Sequence, residues 1–311
     1  MSLNVSLPVI SIVIPMYNRA HFIARAINSC LQQDFQNFEI VCVDDGSTDK
    51  TVDVVKEMAD PRIVLFYHEK NQGIGPTRNA GMHNARGAWI ILLDSDDELL
   101  PGALEIINRA ILNSESNISR IVFMYKLDTG GTSPSPALDD GIWDYAAYIN
   151  WTANHRERSD YLNVIKSSSI MNVRFPDNRA DVALYQFDFA YHYLTETRAD
   201  IVGIIHTDAD NRMLKPTPKQ LLESADASIV QTVDLLKKHG VAMKNISPPL
   251  YYEYIRGLIT LYFISGQRRM GLRYFFQYFP YNPLQKKLWA VVLLGLIGKK
   301  YLAWLKAAMS S

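Results

Sequence analysis

Two acidic clusters follow apolar runs near the start of the chain. Asp44 and Asp45 close the run Glu39–Val43, and Asp94, Ser95, Asp96, Asp97 and Glu98 close Trp89–Leu93. Carboxylates this dense repel one another unless a cation or a polar ligand shares their site. An apolar strand that empties into Asp-x-Asp aims two of them at the crevice beyond the sheet edge, where α/β proteins bind ligands. Mg²⁺ or Mn²⁺ takes one or two protein carboxylates and completes its shell with phosphate oxygens and water. The Asp94/Asp96 pair therefore suits a nucleotide diphosphate. At each acidic position the competing reading is an Asx turn or a helix cap, and Asp49 and Glu98 are assigned to it.

The elements that must position these acids alternate between two hydrophobic periods. Val9–Ile14 is an almost continuous apolar run, as in a parallel strand covered on both faces. Ile23, Ala26, Ile27, Cys30 and Leu31 then recur at helical spacing. Glu39–Val43 is the next strand, and Ser47 or Thr48 is placed to cap a helix carrying Val52 and Val55. Ile63–Phe66, a helix near Thr77–Ala85, and Trp89–Leu93 continue the rhythm. Pro101 is expected to open a helix to about Leu112, followed by a strand at Ile121–Met124. Such alternation builds a mostly parallel sheet with helices on both faces. Residues 128–141 read as a loop. A helix is expected over 181–198, a strand at Ile201–Ile205, and helices at Leu221–His239, Leu250–Ile264 and in shorter pieces beyond.

The 311 residues, 48% hydrophobic, exclude disorder and a disulfide-stapled miniprotein. Thirty-two basic and 32 acidic side chains cancel, which argues against nucleic acid bound through bulk charge. The balance is uneven along the chain. Residues 1–214 hold 18 basic and 28 acidic side chains, 215–311 hold 14 and 4, and no acid follows Glu253. Cys30 and Cys42 lie in apolar segments and read as buried, reduced thiols. The N-terminus has no signal-peptide pattern. The longest apolar run, Leu288–Gly298, has 11 residues, where a spanning helix needs about 20.

Four segments carry a resemblance. Ile12-Val-Ile-Pro-Met-Tyr-Asn-Arg19, Val43-Asp-Asp-Gly-Ser-Thr-Asp49, Asn71-Gln-Gly-Ile-Gly-Pro-Thr-Arg-Asn79 and Leu93-Asp-Ser-Asp-Asp97 stand in the order and spacing of the family 2 glycosyltransferases. The chain resembles that family over about residues 8–125. The resemblance implies a GT-A-type, Rossmann-like mixed sheet and an inverting transfer from a nucleotide-diphosphate sugar with a divalent metal. It implies that Pro15, Tyr17 and Asn18 line the nucleotide pocket and that Asp45 accepts a hydrogen bond from the base. Arg78 would lie near the nucleotide or the diphosphate, Asp94 would bind ribose directly or through the metal, and Asp96 would ligate the metal. The alternatives are a core aromatic for Tyr17 and a surface helix arginine for Arg78.

An inverting transfer also needs a base for the acceptor hydroxyl. The resemblance places it in an acidic pair after a segment like Val173-Arg-Phe-Pro176. Aligning Ala180-Asp181 with that pair makes Asp181 the base, with Asp177 second and Asp188 third. Ala180 departs from the pattern. As a plain helix N-terminal carboxylate, Asp181 would have no such role. His206 and Arg212 are candidates for a group reaching the diphosphate. The expected division is a donor half at 1–127, an acceptor half at 128–215 and a basic, aromatic helical extension at 216–311.

From Tyr254 onward there are nine Lys/Arg, twelve aromatics and no acids. Amphipathic helices of that composition lie in bilayer interfaces, so an anionic membrane surface is an expected partner; simple packing on the core is the alternative. A cytoplasmic, peripheral location on the inner face of the cell membrane would suit a saccharide or lipid-linked acceptor in cell-surface glycan assembly. Four rival functions compete with this reading. A phosphatase or a Rossmann dehydrogenase would need its motif at the first strand, and so would a sugar nucleotidyltransferase, whose loop here follows the third. A degenerate GT-A binding or assembly subunit, suggested by Ala180, is opposed by Asp45, Asp94 and Asp96.

Overall fold

The structure is a computed structural model that describes residues 7–155, 160–177, 182–208, 217–284 and 286–298. The chain begins β1 (Ile10–Met16), α1 (Ile23–Leu31), β2 (Phe38–Asp44), α2 (Thr51–Glu57), β3 (Ile63–Tyr67), α3 (Ile74–Asn84) and β4 (Trp89–Leu92). It continues through β5 (Glu98–Leu99), α4 (Ala103–Asn113), β6 (Ile118–Leu127), β7 (Thr132–Ser133) and β8 (Gly141–Trp143). α5 (Tyr145–Asn154), β9 (Leu162–Lys166), α6 (Ala183–His192) and β10 (Leu194–Ile205) follow.

Among the described residues the strands form one sheet, ordered β3-β2-β1-β4-β9-β6-β10-β5, with β7 on β6 and β8 on β10. The pairs β3/β2, β2/β1, β1/β4 and β6/β10 are parallel. β9 runs antiparallel between β4 and β6, and β5 antiparallel on β10. This is the expected mixed, mostly parallel α/β sheet flanked by helices.

Every residue of β1 and β2 is buried, which explains their continuous apolar runs. On one face Ile12, Ile14, Ile40 and Cys42 share a core with Ile23, Ile27 and Cys30 of α1 and Leu104 and Ile107 of α4. Burying each such side chain contributes about 1.5–3 kcal/mol. On the other face α3 lies so close that a Cβ on Gly81 would fall 2.3 Å from Val13 Cγ1. Both cysteines are free and buried. Burial pushes the Cys30 thiol up to about 12 and the Cys42 thiol higher still, with Cys30 adding to the latter.

Several local expectations need correction. Neither Ser47 nor Thr48 caps α2, whose N-cap is Lys50 without a side-chain bond; both are taken up by Asn18. Pro101 precedes α4 rather than opening it, because Gly102 at φ +77° supplies the left-handed entry. The helix expected over 181–198 ends at His192, and its last residues belong to β10. There β-branched Thr195 and Thr197 are buried and pair with β6 and β8, a better environment for them than a helix. β5, β7, β8, β9 and α5 are additional to the sequence reading.

The described chain falls into two compact units, one from residues within 1–148, 155–179 and 188–209, which holds the sheet, the other from residues within 149–154, 180–187 and 210–311. In the second, α7 (Pro218–Ile246) starts at a capping box: Thr217 Oγ1 accepts from Gln220 N at 3.2 Å, and Gln220 Oε1 accepts from Thr217 N at 2.8 Å. α8 (Pro248–Ser265), α9 (Arg268–Tyr278) and α10 (Lys286–Ile297) follow. Phe263 anchors them: a Cβ on Gly295 of α10 would lie 2.6 Å from its ring. Ile255, Ile259, Phe275, Tyr278, Leu288 and Val292 complete that core. Among the described residues, no helix is long and apolar enough to cross a membrane.

Candidate active site

β2 and β4 flank β1 in parallel, so their C-terminal tips share one edge about 10 Å apart. The registers fix the heights. Met16 is level with Asp44, Asp45 N donates to Met16 O at 2.9 Å, and Leu93 N donates to Val13 O at 3.1 Å. Pro15, Tyr17, Asn18, Asp45 and Asp94 thus come to the same edge from three strands. Pro15 is buried at the end of β1, and Tyr17 is 41% exposed, so it is not a core aromatic.

The loops after β1 and β2 are stitched together. Asn18 sits at φ +52°, a left-handed conformation that asparagine tolerates. Its N–H donates to Ser47 Oγ at 2.9 Å and its Oδ1 accepts from Thr48 N at 2.9 Å. Arg19 N donates to Thr51 Oγ1 at 2.7 Å, and Ala20 N to Asp49 Oδ2 at 3.2 Å. Burial pushes the Asp49 carboxyl up, but hydrogen bonds from the Thr51 side chain and backbone and from Ala20 outweigh it and hold it below the usual range. Asp49 is therefore the turn residue expected of it.

Asp45 is committed to the protein. Its Oδ1 lies 2.8 Å from His68 Nδ1 and accepts from Gln72 N at 2.9 Å, while Oδ2 accepts from Gly73 N at 2.8 Å. Gly73 is the N-cap of α3, so this buried carboxylate fixes the start of the helix that carries Arg78. A carboxylate offers about four acceptor positions, and three are used here.

Arg78 Nη2 donates to Asp94 Oδ1 at 2.7 Å, and its guanidinium lies 5.4 Å from the centre of the Phe175 ring. Its side chain is mostly buried, whereas that of Asp94 is 49% exposed. Arg78 is therefore no free surface arginine. Next to it, Asn79 Nδ2 donates to Phe175 O and Asn79 Oδ1 accepts from Phe175 N, both at 2.9 Å. This pair seats the segment Val173–Pro176 against α3, with Pro176 O so close that a Cβ on Gly75 would meet it at 2.2 Å. Asp177 follows, exposed. Asp181 and Arg212 lie outside the described residues. Asp188 is on α6, where its charge helps raise the Tyr145 hydroxyl behind the effects of burial and Tyr191.

Asp96 opens a network that sequence reasoning missed. Arg25 Nη2 donates to the Asp96 carbonyl at 2.8 Å, and the same guanidinium bridges Asp208 at 2.8 and 3.1 Å. The Asp208 hydrogen bond is the main reason that Arg25 holds its proton more tightly than usual. Glu98 is no cap: it starts β5, with Oε1 3.4 Å from Arg25 Nε and 2.6 Å from His206 Nε2. His206 Nδ1 is 3.7 Å from Asp128. Below them, Tyr125 is buried, and burial followed by the charges of Asp97 and Asp94 pushes its hydroxyl well above the usual value.

No cluster of three or more His, Cys, Asp or Glu side chains able to hold a metal occurs among the described residues. A hard divalent ion needs fewer. Asp94 and Asp96 follow one strand end as oxygen donors, and half of the Asp94 side chain remains open, so this donor set fits Mg²⁺ or Mn²⁺ that also carries phosphate oxygens.

Comparison with known proteins matches residues 11–165 to Glycosyl transferase family 2. The succinoglycan biosynthesis protein ExoO of Rhizobium meliloti is 45% identical over 104 residues, 33% of this chain and 30% of that protein. The chain spans less than half the length of the curated relatives it matches. Residues 1–349 of S. aureus TarS in complex with UDP-GlcNAc share the fold at a TM-score of 0.60 and 18% identity, over 81% of each chain. The mannosyltransferase PcManGT of Pyrobaculum calidifontis, in complex with GDP-Man and Mn²⁺, does so at 0.53 and 16%, over 98% of this chain and 85% of that one.

Proposed function

Since the chain belongs, through residues 11–165, to glycosyl transferase family 2, we propose that it is an inverting, metal-dependent glycosyltransferase. It moves a hexosyl or N-acetylhexosaminyl group from a nucleotide-diphosphate sugar, UDP-type, to a hydroxyl of a saccharide or lipid-linked saccharide in cell-surface glycan assembly. The observation that carries this reading is the common edge to which β1, β2 and β4 deliver Tyr17, Asp45 and Asp94. The UDP-GlcNAc complex of TarS and the succinoglycan role in the name of ExoO support the donor and the pathway class.

In this reading Tyr17 stacks on the base while Pro15 and Asn18 line its pocket. Asp45 uses its remaining lone pair on the base and, through Gly73, holds α3 in place. Arg78 faces the diphosphate, and Asp94 contacts ribose directly or by way of the metal. Asp96, with Asp94 beside it, would hold Mg²⁺ or Mn²⁺. The ion's contribution is to offset negative charge on the departing diphosphate. The acceptor oxygen loses its proton to a carboxylate, attacks the anomeric carbon from the face opposite the diphosphate, and expels the nucleoside diphosphate with inversion. Asp181 is the assigned base. Asp177 is the alternative, favoured by the seating of Val173–Pro176 on α3.

The donor function belongs to 1–127, the acceptor function to 128–215, and 216–311 is the helical extension. The location is the cytoplasmic face of the cell membrane. A binding or assembly subunit is the second reading, favoured by Ala180. Release of nucleoside diphosphate from a panel of nucleotide sugars, with and without Mn²⁺, separates the two. Metal-dependent release that Asp181→Ala or Asp177→Ala abolishes supports the enzyme, and donor binding with no release under any condition supports the subunit.

A further inference from the structure

α9 and α10 leave one side of their packing undressed. α10 buries Leu288 and Val292 and sets Gly295 on Phe263, so the helical repeat turns Trp289, Leu293, Leu296 and Ile297 outward. Trp289 is 41% and Ile297 69% exposed. On α9, Phe275 and Tyr278 are buried while Phe276 is 67% exposed, and Phe279 beyond its end is exposed as well. The two helices meet along this side: the Phe279 and Trp289 rings lie 6.2 Å apart, and Trp289 Nε1 donates to Pro283 O at 2.9 Å. A continuous apolar strip results, where singly scattered apolar residues would need no explanation.

The charged side chains carried by the two helices themselves have one sign. Arg269 and Arg273 precede Phe276 by seven and three residues, which places them on the same side of α9, and both are exposed. Lys286, exposed, opens α10 three residues before Trp289. No carboxylate side chain occurs anywhere after Glu253. A protein partner that covered this strip would have to match two helices that carry bases and no acids. A bilayer with anionic headgroups offers hydrocarbon and negative charge together over a plane.

We propose that the α9–α10 face docks on an anionic lipid surface, with Phe276, Phe279, Trp289, Leu293, Leu296 and Ile297 entering the headgroup boundary and Arg269, Arg273 and Lys286 meeting phosphate groups. This deepens the location given above by naming the face that makes the contact, and it does not depend on the transfer chemistry. Its test reads lipid binding in the absence of any donor, so its failure is distinct from failure of the proposed reaction.

The full chain is floated with vesicles of phosphatidylcholine alone and of phosphatidylcholine with phosphatidylglycerol. Flotation with the anionic vesicles only, weakening as salt is raised, is the expected result. Two paired variants, Phe276→Ser with Leu293→Ser and Arg269→Glu with Arg273→Glu, each lower apparent affinity at least about tenfold. Val241→Ser, an exposed apolar change on α7, leaves it unchanged, and circular dichroism checks that all variants are folded. Absence of flotation, or equal flotation of the paired variants and the parent, overturns the proposal. So does a dimer in sedimentation that dissociates in the Phe276/Leu293 variant while vesicles are ignored, since the face would then receive a second copy of this chain.

Discussion

The ends of β2 and β4 bring the same residue type to the same sheet edge and use it in opposite ways. After β2, Asp44 Oδ2 accepts from Ser47 N at 2.9 Å, and Asp45 spends three acceptor positions on His68, Gln72 and Gly73. Both are buried. After β4, Asp94 gives one oxygen to Arg78 and stays half exposed, and the backbone carbonyl of Asp96 accepts from Arg25. Acids at the first tip shape the loops, whereas Asp94 at the second presents charge. Position on a strand end does not by itself separate the two roles, whereas the supply of nearby backbone N–H groups does.

That contrast can be broken most sharply at its open side. Asp96→Ala should lower kcat/KM by about a thousandfold, the scale of a lost metal contact to a leaving group. A transfer assay at saturating Mn²⁺ checks this, and a loss under tenfold would remove Asp96 from the metal-holding role.

Glu39 is the reference for an acid with a purely structural task. It is buried at the opposite end of β2, where Oε1 accepts from Ser11 Oγ at 2.6 Å and Arg86 N at 2.7 Å, and Oε2 from Arg86 Nε at 2.7 Å. Glu39→Ala should cost about 3 kcal/mol of unfolding free energy, with turnover per folded molecule unchanged. Denaturant melts and active-site-normalised rates measure the two quantities separately.

Asp45 should fall between these extremes. Asp45→Ala strips the acceptor from two backbone N–H groups and from His68, so about 2 kcal/mol of stability should go, together with weaker donor binding. Asp94→Ala should cost less stability than Asp45→Ala. The reverse order in urea titrations would erase the distinction between the two strand ends.

The smallest effect is acid tolerance. Bonds from Arg62 hold the Asp60 carboxyl down to about 2, accepted from Arg62 N and Nε at 2.9 Å and Nη2 at 2.8 Å. A depressed folded-state value contributes stability that is whole above the unfolded value near 4 and fades as pH falls through about 2. Partial exposure limits it to about 1 kcal/mol. Asp60→Asn should therefore lower stability by about 1 kcal/mol at pH 7 and flatten its pH dependence between about 4 and 2, which urea titrations across that pH range measure.

Legibility in the sequence followed the same physics. β1, β2 and β4 are covered on both faces, so their apolar runs announce them. β9 hides its role because Asn163 interrupts Leu162, Val164 and Ile165 and Lys166 ends so short a run. α6 and β10 run together because Leu194, Thr195 and Thr197 continue an apolar rhythm whose period only pairing with β6 decides. At the site, an apolar run emptying into Asp-Ser-Asp was readable. The bonds that brace it were not: Arg25 reaches Asp96 over 71 residues and Asp208 over 183, and Asn79 reaches Phe175 over 96. Local patterning carries no trace of partners so distant. Arg120 makes the same point inside the core, fully buried with its guanidinium 4.6 Å from the centre of the Phe189 ring.

The claim beneath all of this is that the open β4 end supplies the cation seat for a nucleoside diphosphate held by the β1 and β2 ends. Calorimetric titration of UDP into the full chain, with and without Mn²⁺, and again in Asp96→Ala, addresses it most directly. The account predicts binding that Mn²⁺ strengthens in the parent chain and that loses this increment in the variant. Binding of equal strength in all four titrations would contradict it.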